Sequence, residues 1–362
     1  MQRFWRGAVA ATLVTFGAAM PALAHGGDAL AAHDLWTAWR FSPEIVIATG
    51  LVLFVYLRGM VRRKAIRNPV PAWRHAAFLA GVALIFIALQ SPIDPFAERA
   101  FWIHQIQHLL LRMAGPALLA ISTPEGVLVA GLPRWARRSI LRPLAQSRAM
   151  RGLSGFLGNA LVVFVLFMAS LIVWQVPSIH NAALLNPYLH YLMHVTMLLA
   201  GMLFFWRIFS RVGPPKGLRY GVRVLMLIGS SLLSIVLGSL TTLKEHVLYT
   251  AYDVHGRLFV ESALSDEQSG GFIIWISGPM MALIPLLIIM FSWDRNETRR
   301  YQDRFARPMS NSQALEFPET AEELWIKVEK PNRDTRLGLF AIAFSMFVMV
   351  MGLAILAPNH GG

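Results

Sequence analysis

The stretch Phe101–Ile121, FWIHQIQHLLLRMAGPALLAI, combines a long apolar run with histidines near its beginning. It is long enough to cross the roughly 30 Å hydrocarbon core of a bilayer as an α-helix. An isolated segment in lipid satisfies its backbone hydrogen bonds only as a helix. The stretch is therefore predicted to be a membrane-spanning helix that carries polar side chains at one end.

The rest of the chain repeats this pattern. Of 362 residues, 56% are hydrophobic and only 15% are charged, whereas about 25% are charged in a soluble domain. This composition excludes a soluble globular fold. Apolar segments of membrane length occur at 44–60, 74–91, 101–121, 156–176, 188–209, 222–243, 271–292 and 337–357. The fold class predicted is all-α, a polytopic membrane helix bundle of about eight transmembrane helices that follow a cleavable signal peptide.

Residues 1–24 have the features of a signal peptide. Arg3 and Arg6 precede the short apolar stretch 8–20, and Ala22-Leu23-Ala24 matches a signal-peptidase site. Cleavage there makes His25 the first mature residue. An uncleaved anchor is the alternative, and both interpretations place residue 25 outside the cytoplasm.

Basic residues predict the orientation. The connections after the first, third, fifth and seventh segments hold 26 Lys and Arg residues, and the opposite side holds 4. Because basic loops stay in the cytoplasm, both mature termini are predicted to be periplasmic in a bacterial inner membrane. The net charge of +13 is thereby explained by contact with anionic lipid, and no nucleic acid is expected as a partner.

These predictions divide the chain into five parts. A periplasmic N-terminal segment (25–43) follows the signal peptide (1–24), and a membrane domain of seven spans covers 44–295. A cytoplasmic polar segment (296–336) precedes the final span and periplasmic tail (337–362). Within the polar segment, residues 318–326 are expected to begin a short amphipathic surface helix.

Ten of the eleven histidines lie at or beyond the predicted outer ends of the spans. His104 and His108 form one i, i+4 pair, and His190 and His194 form another. This spacing puts both rings of a pair on one helix face, ~6 Å apart along the axis. Facing pairs would offer up to four imidazoles, which are ligands for copper, zinc and iron. Hydrogen bonding to neighbours or water near the interface remains the alternative.

Two further residues are singled out. Arg112, one turn below His108, is expected to lie inside the membrane, where a charged group needs a partner. That partner is a bound anionic group or one of the outer-side carboxylates of Asp94, Glu98, Asp266 and Glu267. A mature N-terminal His25 offers an amine and a ring to copper, although a disordered chain end is the simpler interpretation. The chain has no cysteine, so thiolate ligands are excluded.

Three motifs resemble the CtaG-type family of caa-type cytochrome c oxidase assembly factors, which are polytopic membrane proteins. The first comprises Ser91-Pro92-Ile93-Asp94, His104-x-x-Gln107-His108 and Thr123-Pro124. The second is His190-x-x-x-His194 with Gly201 and Phe204-Phe205-Trp206. The third is Asp266-Glu267-Gln268-Ser269-Gly270-Gly271 before Ile274-Trp275. The resemblance covers about residues 45–295. Gln105 and Glu267 depart from the family pattern, which often has Met and Gln there.

The resemblance implies a non-enzymatic assembly factor for a haem-copper oxidase that binds or delivers copper at the periplasmic face. Oxidase subunits, membrane lipid and periplasmic copper chaperones are the implied partners. The metal ligands expected are His104, His108, His190 and His194. Further candidates are Asp94, Gln107, Arg112, Asp266, Gln268 and His25. A bis-histidine haem protein and a copper permease remain alternatives. The permease would need a polar path through spans whose inner halves are apolar apart from Arg112.

Overall fold

The protein is helical in the residues that its computed structural model describes, which are 39, 41–65, 70–213, 217–254, 256–258, 262–305 and 321–356. No strand occurs in these residues, as the all-α prediction requires. Within them the eight long helices are α1 (Pro43–Ala65), α2 (Ala72–Gln90), α3 (Phe101–Ser122), α4 (Ala160–Gln175), α5 (Pro187–Ile208), α6 (Tyr220–Thr242), α7 (Ala263–Arg299, helical to Phe305) and α8 (Ala321–Leu356).

Five of the described helices, α1, α2, α5, α6 and α7, are long and apolar enough to cross a membrane. The number rises to seven if α3 is joined to Glu125–Gly131 and α4 to Arg148–Phe156, across bends of 73° and 74°. The predicted span 337–357 lies largely in α8, which also contains most of the predicted surface helix. The total of eight spans therefore stays a prediction, and the signal peptide (1–24) lies outside the described residues.

The chain divides into two compact units, one up to Ile289 and one from Met290 onward. The first unit contains α1 to α6 and most of α7, and every predicted metal ligand that the structure describes belongs to it. Its outward faces carry strongly exposed apolar side chains, such as Leu161 at 68% and Leu240 at 66%. Such faces suit contact with lipid tails. The second unit contains the end of α7 and α8.

Small residues let the helices of the first unit pack backbone to backbone. A Cβ at Gly201 of α5 would collide with the carbonyl of Arg112 in α3. Where α6 meets α7, a Cβ at Gly238 would lie 2.6 Å from the amide nitrogen of Trp275, and Gly271 is equally close to α6. Such approaches are typical of helix pairs in membranes.

Helix α3 is irregular at two places. A π turn at Leu110–Ala114 follows the histidine pair. At the other end, Thr123 adopts left-handed backbone angles (φ 47°, ψ 62°) before Pro124. Proline disfavours right-handed helical angles in the residue before it, so the helix ends here and turns into Glu125–Gly131.

The predicted outer connections pack together over the histidine end of the bundle. Asn181 Nδ2 donates to the Leu248 carbonyl at 3.0 Å, and the Leu258 amide donates to the Arg99 carbonyl at 3.1 Å. At the opposite end, Arg62 Nη1 donates to the Ala130 carbonyl at 3.0 Å. These contacts agree with spans that alternate in direction, while the side of the membrane that each end faces stays a prediction.

Candidate metal centre

Three histidines from α3 and α5 meet at one buried point. His104, His190 and His194 each offer a ring nitrogen, and these atoms all lie within 4.8 Å of one another. The closest measured pair, His104 Nε2 and His190 Nε2, is 3.3 Å apart. Two nitrogens bound at 2.0–2.1 Å to one tetrahedral ion lie about 3.4 Å apart. The spacing of this pair therefore fits a single metal ion.

His108, the fourth predicted ligand, lies beside the three. Its ring centroid is 4.2 Å from that of His104 and 5.7 Å from that of His194. Both its ring nitrogens are buried, and neither has a hydrogen-bond partner among the described residues. A buried polar group without a partner is unusual in a folded protein. His108 is thus able to act as a fourth ligand or to bind water.

His180 and Tyr252 extend the cluster, and the sequence patterns did not single them out. Tyr252 Oη lies 2.6 Å from His104 Nδ1 and 2.7 Å from His180 Nε2, and all three side chains are fully buried. His180 sits on the short helix Pro177–Leu185 and Tyr252 in the 3₁₀ turn Thr250–Asp253. Neither has a spacing relation to the histidine pairs, so no periodic signal marks them.

Burial keeps the side chains of His180 and Tyr252 uncharged. It lowers the pKa of His180 to about 4, although the hydrogen bond to the Trp174 carbonyl and the charge of Glu267 oppose the shift. It also raises the pKa of Tyr252 well above its usual value. Both side chains are therefore neutral at pH 7.

Asp266, a predicted additional ligand, caps helix α3 instead. Its carboxylate accepts hydrogen bonds from the Phe101 and Trp102 amides at 3.0 and 3.1 Å, the first two amides of the helix. These amides lack partners within the helix, and the residue before them, Ala100, has no capping side chain. Asp266 also pairs with Arg257 Nη1 at 2.8 Å. It lies outside the group of three histidines.

Glu267 holds the loop that leads to Tyr252. It accepts from the Leu248 and Tyr249 amides at 2.9 and 3.0 Å, and it pairs with Lys244 and Arg257. Burial lowers the pKa of Lys244, with Glu267 opposing the shift. Burial alone would lower the pKa of Arg257 as well, but hydrogen bonds to its carboxylate partners raise it above the usual value.

A family model described as cytochrome c oxidase caa3 assembly factor (Caa3_CtaG) matches residues 53–296. This match spans the histidine pairs, the bend at Thr123 and the acidic pair of α7. The chain belongs to the cytochrome c oxidase caa3 assembly factor family. The resemblance seen in its three motifs is thereby confirmed.

Among curated proteins, this chain is 26% identical to an uncharacterized protein of Mycobacterium bovis over 271 residues, which are 73% of this chain and 40% of the relative. It is also 26% identical to an uncharacterized protein of Mycobacterium leprae over 273 residues, again 73% of this chain and 40% of the relative. The match thus spans two fifths of the length of these relatives. No solved structure matches.

In this family member, three other candidate residues serve helix packing. Gln107 Nε2 donates to Asp94 Oδ1 and to the Ala88 carbonyl, both at 2.8 Å, and so ties α3 to α2 and to the short helix Ile93–Ala97. Gln268 Nε2 donates to the Lys244 carbonyl at 3.2 Å. Asp94 is not among the described residues whose ligand atoms converge on one point, which are His104, His190 and His194.

The contacts of Arg112 differ from those expected. Its side chain is buried, yet its partners are neutral groups on α4 rather than Asp94, Glu98, Asp266 or Glu267. Arg112 Nη2 donates to the Phe167 carbonyl at 3.0 Å, Nε donates to Ser170 Oγ at 3.3 Å, and the guanidinium lies 3.9 Å from the Phe167 ring centroid. The expectation of a carboxylate partner is wrong for the described residues. His25 lies outside them.

Proposed function

We propose that this assembly factor binds a copper ion through His104, His190 and His194, with His108 as the fourth ligand, and supplies it to cytochrome c oxidase. The observation that carries the proposal is the buried nitrogen pair of His104 and His190, 3.3 Å apart, with His194 beside it. Membership of the oxidase assembly family connects such a site to oxidase maturation.

The donor set favours copper without requiring it. Imidazole suits copper and zinc, and affinity for a given site generally peaks at copper among the divalent first-row metals. The chain has no cysteine to direct selection toward thiolate-bound metals. Copper is preferred over zinc because haem-copper oxidases contain it.

The residues around the site favour a protein that holds copper over a haem protein or a copper permease. The rings of His108 and His194 lie within 5.8 Å of His104, centroid to centroid, which leaves little width for a haem macrocycle between facing ligands. Arg112 lies buried on the inner side of the cluster against Phe167. A fixed positive charge there opposes passage of a metal cation toward the inner end, as a permease would need.

The proposal extends to place and partners. The histidine end faces the periplasm if the basic connections stay in the cytoplasm. Copper would then be received from periplasmic copper chaperones and passed to oxidase subunits at the outer surface of the bacterial inner membrane. No reaction needs to be catalysed, because transfer of the ion requires only exchange of ligands.

Metal binding by the purified full-length protein tests this proposal. Wild type is expected to retain copper in competition with a copper-chelating dye, and His104→Ala/His190→Ala is expected to lose it. His246→Ala is the matched control, because His246 is an exposed outer histidine away from the cluster. Wild type that binds zinc and no copper, or a double variant that keeps its copper, would refute the proposal.

The same preparation separates the alternatives. An intense visible Soret band in the wild-type spectrum would favour the haem protein. Copper uptake into proteoliposomes that contain the protein would favour the permease. For a copper-holding assembly factor we expect neither signal, together with loss of oxidase activity in cells that carry His104→Ala/His190→Ala.

A further inference from the structure

A chain of hydrogen bonds runs from the backbone of α4 to His104. Its links are Trp174 O to His180 Nδ1 (2.8 Å), His180 Nε2 to Tyr252 Oη (2.7 Å) and Tyr252 Oη to His104 Nδ1 (2.6 Å). All the side chains involved are buried. The chain begins at a carbonyl, which can only accept, and this fixes the direction of each following bond.

The directions are derived one link at a time. His180 Nδ1 must carry the hydrogen that it donates to the Trp174 carbonyl. His180 is neutral because it is fully buried and no described carboxylate is hydrogen-bonded to it, so its Nε2 has no hydrogen. Tyr252 therefore donates its hydroxyl hydrogen to His180 Nε2. The hydroxyl oxygen is then left to accept a hydrogen from His104 Nδ1.

We propose that Tyr252 and His180 are positioning residues that fix His104 in the Nδ1–H tautomer and direct its Nε2 lone pair into the metal centre. The consequence for metal binding rests on the proposed function, but the tautomer is a property of the metal-free protein. His104 Nε2 is the atom that lies 3.3 Å from His190 Nε2. Partners that hold a ligating histidine in this way commonly contribute 10- to 100-fold to metal affinity.

The acidic pair of α7 supports this arrangement from outside. Arg257 donates to the Tyr249 carbonyl at 2.9 Å, and its guanidinium carbon lies 5.5 Å from the Tyr252 ring centroid. Asp266 and Glu267 hold Arg257 in place. The third family motif thus fixes the loop that carries Tyr252, and it acts on the metal centre through that loop.

The tautomer is measurable without any metal. In metal-free, full-length protein labelled with ¹⁵N-histidine in lipid nanodiscs, imidazole nitrogen shifts report which nitrogen carries hydrogen. The His104→Gln and His180→Gln spectra assign the two signals. We expect both histidines to be neutral and protonated at Nδ1 at pH 7. His104 protonated at Nε2, or His180 doubly protonated, would overturn the proposal.

Tyr252→Phe provides the second test, with Tyr249→Phe as its matched control. Tyr249 is buried in the same loop, but its hydroxyl donates to the Gln175 carbonyl at 2.8 Å and not to a histidine. We expect Tyr252→Phe to give mixed His104 tautomers and 10- to 100-fold weaker copper binding, with neither change in Tyr249→Phe. Unchanged tautomers and affinity in Tyr252→Phe would overturn the proposal.

The two proposals fail in distinguishable ways. Wild type that binds no copper but shows His104 protonated at Nδ1 would refute the proposed function and still support the positioning role. If Tyr252→Phe does not fold, the wild-type spectrum alone decides the tautomer.

Discussion

Replacing Asp266 with asparagine tests whether the acidic pair of α7 organises the histidine end. The carboxylate accepts two amides at the start of α3 and pairs with Arg257 while fully buried. Hydrogen bonds to a charged acceptor contribute about 1.5–3 kcal/mol each, and removing one partner of a buried ion pair costs about 3–5 kcal/mol. Because asparagine keeps one acceptor oxygen, we expect Asp266→Asn to lower the unfolding free energy by about 3–5 kcal/mol.

Asp253→Asn is the matched control. Asp253 pairs with the same guanidinium, through Arg257 Nε at 2.7 Å, but its side chain is 48% exposed. Exposed ion pairs contribute about 0.2–1 kcal/mol. Both variants remove a negative charge beside Arg257. Any additional loss of stability in Asp266→Asn therefore comes from its burial and its capping of α3.

Unfolding in mixed detergent micelles, followed by tryptophan fluorescence, measures both variants. Asp266→Asn should also weaken copper binding, because the first turn of α3 leads directly to His104. Equal and small losses of stability in the two variants would refute the capping role of Asp266. A large loss in Asp266→Asn with unchanged copper affinity would refute the link between the cap and the metal centre.

Two further predictions concern His180 and the contact of α3 with α5. The pKa of His180, about 4 in the folded protein, lies below the usual value of about 6.5. As pH falls from 6.5 to 4 the unfolded chain takes up the proton first, so wild type should lose about 3 kcal/mol of stability. Unfolding curves measured at a series of pH values should show that His180→Gln does not lose this stability between pH 6.5 and 4. If the variant loses as much stability as wild type, the lowered pKa of His180 is contradicted. Gly201→Ala should lower the unfolding free energy by about 1–3 kcal/mol through overpacking against α3, and it should weaken copper binding. Gly50→Ala is the control, because Gly50 faces open space in α1, and this change should be neutral or stabilising. If thermal unfolding shows the same stability change in both variants, the close approach of α3 and α5 is contradicted.

The sequence predicted those parts of the structure that follow from periodicity. Spacing of i, i+4 placed His104 with His108 and His190 with His194, and the sidedness of the histidines placed both pairs at one end. Apolar runs located the long helices. The beginning of α7 was predicted eight residues late, at 271, because its first turns carry Asp266 and Glu267. Hydropathy counts these residues as loop, whereas hydrogen bonds to other elements make them part of the buried structure.

Tertiary contacts account for what the sequence did not predict. His180 and Tyr252 reach the cluster from separate connections, so their relation to His104 depends on how those connections fold over the bundle. The carboxylate partner expected for Arg112 followed from charge alone. In the structure the guanidinium instead donates to a backbone carbonyl and a hydroxyl of the neighbouring helix, Phe167 O and Ser170 Oγ. Sequence alone does not show that these groups lie beside Arg112.

The spacing between the two histidine pairs is likewise a property of helix packing. Each pair is fixed within one helix, but a metal ion requires nitrogens from α3 and α5 to lie within about 4 Å of one another. The helices approach this closely because Gly201 presents no side chain to the Arg112 carbonyl. Any Cβ there must push the helices apart, and a displacement of 1 Å exceeds the tolerance of ±0.2 Å in metal–ligand distance. Gly201 therefore supports the proposed metal centre through helix packing, although it offers no ligand. We expect copper affinity to fall in Gly201→Ala even where the histidines are intact.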